Sequence, residues 1–151
     1  MKTKLFFTAL FLLFICLNVM PACQGDKKIE VKELPAPAQA FIQKYFSLDS
    51  VKMVTMDVKE KDYEVKFLNR SEVSFDSEGT WTEVDTKKNP FPIALFDTLP
   101  ANIFQYIIKN HPKKPVTSIS KKTYGYEVEV GIAKDLDLKF DKDGNLIKEK
   151  K

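Results

Sequence analysis

Cysteine is almost missing from this chain of 151 residues. Cys16 and Cys23 are the only two, both fall near the start, and nothing after residue 23 can enter a disulfide framework or supply a thiol nucleophile. Histidine is scarcer still, with His111 alone, so from residue 23 onward at most two residues, Cys23 and His111, could serve a zinc site that wants three or four Cys or His ligands. A Ser-His-carboxylate hydrolase needs its serine on a sharp turn, and no Gly-x-Ser-x-Gly pattern occurs. Charge of one sign is also lacking. Without Lys2 and Lys4 the 24 basic side chains become 22 against 21 acidic ones, and the net charge falls from +3 to +1. A near-neutral chain gives no electrostatic case for nucleic acid. After residue 22 no apolar run approaches the roughly 18–20 residues that span a bilayer.

The first 22 residues are of another kind. Lys2 and Lys4 precede an apolar stretch from Leu5 to Met20, and Pro21-Ala22-Cys23 follows. This is the layout of a secretory signal peptide over 1–22. Met20-Pro21-Ala22-Cys23 resembles a bacterial lipoprotein lipobox, although Met20 and Pro21 depart from its stricter form. The resemblance implies cleavage before Cys23, lipid on its sulfur, and membrane attachment through that anchor. Residues 23–30 are polar and are expected to act as a tether.

The remainder is expected to form a single domain, 31–151, made of two repeats at 31–86 and 93–149. Three markers recur in order. Leu34-Pro35-Ala36 returns as Leu99-Pro100-Ala101, Tyr63-Glu64-Val65 as Tyr126-Glu127-Val128, and Phe75-Asp76 with Gly79 as Phe140-Asp141 with Gly144. The outer two are offset by 65 residues and the middle one by 63, which marks an internal duplication. Within each copy the periodicity changes once. Ala38, Phe41, Ile42, Tyr45 and Phe46 fall on one helical face, and Ile103, Tyr106 and Ile107 do the same in the second copy. Period-two alternation then predicts four strands per copy: 51–58, 63–67, 72–75 and 80–84, then 116–122, 125–131, 136–140 and 145–148. Asp143-Gly144 is a strong hairpin signal, and Pro90 and Pro92 separate the copies.

Neither unit is large enough to be stable alone. The expected fold class is α+β: two α-β4 repeats forming one antiparallel sheet of about eight strands, with both helices on its apolar face. The other face is then charged and open to water.

Candidate chemistry is thin. Glu127 and Glu129 share a strand face about 6–7 Å apart, a separation some glycosidases use, but strand alternation accounts for them. Asp141-Lys142-Asp143-Gly144-Asn145 starts like an EF-hand loop, yet the closing Glu at its twelfth position would fall beyond Lys151. No metal site, cofactor or catalytic residue is therefore expected. Trp81 and Tyr124, at strand ends, are candidate binding anchors if exposed, and core packing if not.

The same ordered motifs, with Trp81 following Gly79, resemble the PepSY-like domain family, secreted bacterial proteins related in fold to the beta-lactamase inhibitor protein. The second copy departs from the pattern, with Leu146 in place of Trp81. The resemblance implies a noncatalytic protein of the bacterial envelope, in the periplasm or at the outer membrane. The expected role is a binding module whose protein or peptide partner docks on the exposed sheet face, with modulation of a secreted enzyme as its sharper form. The alternative is a periplasmic protein responsive to a small ligand or calcium.

Overall fold

The computed structural model describes residues 25–132 and 136–151, so the expected signal peptide and Cys23 lie outside the described residues. The backbone runs as a meander. Strands β1 (Lys27–Ile29), β2 (Val51–Met56), β3 (Tyr63–Phe67), β4 (Glu72–Phe75), β5 (Trp81–Asp85), β6 (Val116–Lys122), β7 (Gly125–Val130), β8 (Leu136–Asp141) and β9 (Leu146–Lys150) pair antiparallel in chain order. Helix α1 (Ala36–Tyr45) lies between β1 and β2, and α2 (Ala101–Asn110) between β5 and β6. The expected single antiparallel sheet is present, with nine strands rather than eight.

The ninth comes from within the stretch expected to be a tether. Lys27–Ile29 pairs with β2, and Ile29 stands opposite Val54. Two exposed lysines in a three-residue strand give no alternation to read, and only the pairing with β2 defines it.

The register makes the core. Ile29, Val54, Val65, Val73, Val84, Ile119, Val128 and Leu138 stand side by side across eight strands as one apolar row. All of them except Ile29 are buried. The row crosses from one copy to the other at the β5–β6 pairing, where Val84 faces Ile119. Thr86 N–H extends that seam to the Thr117 carbonyl at 2.8 Å.

Duplication reaches down to details. The ladder is interrupted between Val51 and Met53 and between Ser74 and Phe75, and again 65 residues later between Val116 and Ser118 and between Lys139 and Phe140. Phe41 meets Phe75 edge-on at 5.6 Å, and Tyr106 meets Phe140 edge-on at 5.7 Å. These pairs seat each helix on its own four strands.

The recurring Leu-Pro-Ala and Phe-Asp-x-x-Gly motifs turn out to be two halves of one contact. Gly79, at φ +84°, lies under the start of α1, where an added Cβ would sit 2.7 Å from the Pro35 Cβ. Gly144, at φ +82°, lies in the same way against Pro100. The left-handed backbone and the lack of room both demand glycine. Asp76 and Asp141 shape these turns by accepting backbone N–H bonds on Oδ1, from Glu78 and Thr80 and from Asp143 and Asn145. Between the copies, a 3-10 turn at Ile93–Thr98 buries Leu95 and Phe96.

Candidate functional site

Alternation sends two further rows of side chains to the face opposite the helices. One is Thr55, Glu64, Ser74, Glu83, Ser120, Glu127, Lys139 and Lys148 from β2 to β9. The other is Met53, Lys66, Glu72, Asp85, Ser118, Glu129, Asp137 and Lys150. The open face is thus charged, as expected, and rich in carboxylates from β3 to β8. It is not uniformly wet. Ser118 and Ser120 in the middle are buried, because these short side chains stand between the longer Asp85 and Glu129 and between Glu83 and Glu127.

The charges form local clusters. Lys66 lies 3.1 Å from Glu64 and 3.7 Å from Glu72, and Lys87 lies 2.9 Å from Glu72 and 2.6 Å from Asp85. Burial opposes the Lys87 charge, but hydrogen bonds to Asp85 and Glu72 outweigh it and raise its pKa. Lys139 pairs with Glu127 at 2.9 Å and thereby lowers the pKa of that carboxyl.

The two candidate anchors separate. Tyr124 is 38% exposed; its hydroxyl donates to Glu127 at 3.3 Å, and Lys139 lies 5.7 Å from its ring centre. It stands at the rim of the open face. Trp81 is only 6% exposed and belongs to the core on the helix side. Its ring stacks on Phe41 at 6.0 Å, and the Lys121 ammonium sits 4.0 Å from its centre. Trp81 is therefore packing rather than an exposed anchor. Leu146, its counterpart, is 38% exposed because β9 is an edge strand and β5 is not.

Sequence reading missed a cleft of about 580 Å³ at one end of the open face, lined by Lys52, Lys66, Arg70, Glu72, Lys87 and Lys88 among others. The turn holding Arg70 and the loop holding Lys87 are tied together by Asn89. Its Nδ2 donates to the Asn69 carbonyl at 2.8 Å, the Thr86 carbonyl at 2.8 Å and Ser71 Oγ at 3.3 Å. The only sequence clue was that the chain's sole arginine sits in a tight turn.

Elsewhere, His111 caps the C-terminus of α2, and its Nε2 lies 3.4 Å from the Glu149 carboxylate, which also accepts the Tyr106 hydroxyl at 2.9 Å. That cluster fastens α2 to β9. Among the described residues no group of three or more His, Cys, Asp or Glu is arranged to hold a metal ion.

Comparison with known proteins now supplies the family. A model of the family described as putative beta-lactamase-inhibitor-like, PepSY-like matches residues 23–69 and 61–148, two overlapping segments consistent with tandem copies. No curated protein matches the chain in sequence. Among solved structures, a putative calcium-regulated periplasmic protein of Bacteroides thetaiotaomicron is 39% identical, covers 83% of this chain and 97% of its own length, and superposes with a TM-score of 0.75. A putative periplasmic protein of the DUF2874 family from Bacteroides vulgatus is 34% identical over 85% of this chain and 99% of its own, also with a TM-score of 0.75. A third, a putative periplasmic protein of unknown function from Bacteroides vulgatus, is 28% identical over 84% and 100%, with a TM-score of 0.72. By motif, duplicated topology and family match alike, this chain belongs to the PepSY-like, beta-lactamase-inhibitor-like family.

Proposed function

We propose that this protein is a noncatalytic binding module of the bacterial envelope, and that a protein or peptide partner docks on its open sheet face. The observation that carries the reading is the nine-stranded sheet itself: helices cover one face, and the other presents two ordered rows of mainly charged side chains over which none of the described elements packs. The excess of carboxylates in the rows from β3 to β8 favours a partner that brings basic groups, which at Glu64 and Glu127 would compete with the pairing to Lys66 and Lys139. Rows held at fixed spacing by the ladder are pre-organised, which lowers the entropy lost on binding. The periplasmic descriptions of the relatives support the compartment. Cys23, as the lipid-bearing residue, would hold the domain at a membrane, and mass spectrometry of the mature N-terminus tests that directly.

The test of the docking face compares the protein with a Glu64→Lys/Glu83→Lys/Glu127→Lys variant in affinity capture from envelope extract. A partner retained by the first and lost by the second is the expected result. Equal capture by both, or capture by neither, counts against the face.

The name of the 39%-identical relative favours a second reading, a calcium-responsive protein. In this chain the Asp141 oxygens already accept bonds from Asp143, Asn145 N–H and Asn145 Nδ2. Calorimetry with millimolar calcium decides it, since no heat and no thermal shift would remove the reading.

A further inference from the structure

The cleft beside the β3–β4 turn has a charge balance that the fold does not require. Five of its lining residues are cations, Lys52, Lys66, Arg70, Lys87 and Lys88, and one is a carboxylate, Glu72. Glu72 is already engaged by Lys66 and Lys87. Among the described residues, no carboxylate pairs with Lys52, Arg70 or Lys88. Three exposed residues that carry positive charge, none paired with a carboxylate, thus line one concavity.

The duplication supplies an internal control. Lys66 corresponds to Glu129 in the second copy, Glu72 to Asp137, and Lys52 to Thr117. The same sheet positions therefore accept acidic or neutral residues, and Lys52 and Lys66 do not follow from building the sheet.

The rims are also rigid. Arg70 (φ +71°) and Lys87 (φ +57°) hold left-handed backbone, which costs a non-glycine residue energy. Ser71 N–H to Asn69 Oδ1 at 2.9 Å and Lys87 N–H to Asp85 Oδ1 at 2.7 Å fix the two turns, and Asn89 joins them. Half-buried Met53 lines the cleft on its apolar side.

The geometry points to a binding site for a phosphate monoester, held by Arg70 with Lys52 and Lys88. A single carboxylate would leave two of the three cations unmatched. A phosphate monoester carries close to two negative charges at neutral pH and three acceptor oxygens, which suits one planar guanidinium and two ammonium groups. The volume exceeds what bare phosphate fills and lies within the range of small-ligand pockets, roughly 300–1,000 Å³. The ester therefore carries a small organic body. The site stands on the cleft alone and needs no macromolecule on the sheet face.

The test is calorimetry at pH 7.5 and low salt with glycerol 3-phosphate, with glycerophosphocholine as the singly charged diester control. Saturable 1:1 binding of the monoester, about tenfold tighter than the diester, is expected. Arg70→Gly removes the guanidinium while relieving the left-handed strain, so the variant stays folded and its affinity falls about tenfold. Lys109→Gln, exposed on α2 across the sheet, leaves affinity unchanged. Cosedimentation with phosphatidylcholine vesicles containing phosphatidic acid or phosphatidylglycerol identifies the source. Binding to phosphatidic acid without binding to the soluble ester assigns a lipid headgroup, and binding to the soluble ester assigns a free metabolite; either supports the site. Absence of binding in both arms overturns it, as does an Arg70→Gly variant that binds like the parent or a Lys109→Gln variant that weakens binding equally.

Discussion

Substituting alanine for Gly144 should destabilise the domain far more than a one-carbon change normally does. The added Cβ would lie 2.7 Å from the Pro100 Cβ and 3.3 Å from both the Asn102 Cβ and the Ile103 Cγ1. Ordinary carbon contacts are about 3.5–4.0 Å, so the turn must retreat by close to 1 Å. Ile103 is fully buried and Pro100 is fixed at the helix start, so neither can yield cheaply. The φ of +82° adds a backbone cost of about 1–3 kcal/mol for any non-glycine residue. Overpacking adds a further ~1–3 kcal/mol, for a total of about 2–6 kcal/mol. Gly79→Ala meets the same geometry against Pro35 and should cost a similar amount. Gly25→Ala is the control, because nothing lies within 4 Å of its added carbon. Urea unfolding followed by circular dichroism and tryptophan fluorescence gives each value. The continuous sheet further requires both probes to report one coincident transition in every variant. A Gly144→Ala protein within about 0.5 kcal/mol of the parent would refute the steric argument, and separate transitions for the two copies would refute the joint core.

Trp81→Ala should cost about 3–5 kcal/mol in urea unfolding followed by circular dichroism alone, since the variant lacks the chain's one tryptophan, because the ring is core packing against Phe41; an unchanged midpoint would return Trp81 to the surface. Asn89→Ala should cost about 1–3 kcal/mol by leaving the turn at 69–71 unfastened from the loop at 86–89, measured again by urea midpoint. Acid should weaken the fold through groups whose folded pKa is depressed: backbone hydrogen bonds from Asn145, chiefly, lower Asp141 below 3.8, and the Lys139 hydrogen bond lowers Glu127 below 4.5. Their contribution is complete above those ordinary values and is lost as pH falls below them through the folded ones. A pH series of midpoints from 6 to 2 should therefore be flatter for Asp141→Asn than for the parent.

Much of the fold was legible because the duplication wrote it twice. Periodicity alone placed both helices and eight strands, and a half-apolar sheet in each copy required the two to merge. What escaped depends on neighbours. Lys27–Ile29 forms a strand only because β2 offers it an edge, and three residues with two lysines carry no pattern of their own. Trp81 looked like a strand-end aromatic, but Phe41 from α1 and Lys121 from the other copy close over it. The basic cleft brings together residues at 52, 66, 70 and 87–89, spread over two strands and two turns, and no spacing rule links such positions. The repeated Gly79 and Gly144 were visible as turn residues, whereas their contact with Pro35 and Pro100 became apparent only from the packing.

The docking face is tested most directly by site-specific photocrosslinking in envelope extract. A benzophenone side chain at Glu83, in the middle of the open sheet, should trap a discrete partner. The same group at Gln105, exposed on α2 across the sheet, should not. Crosslinks from Gln105 equal to those from Glu83, or none from Glu83, would contradict the account.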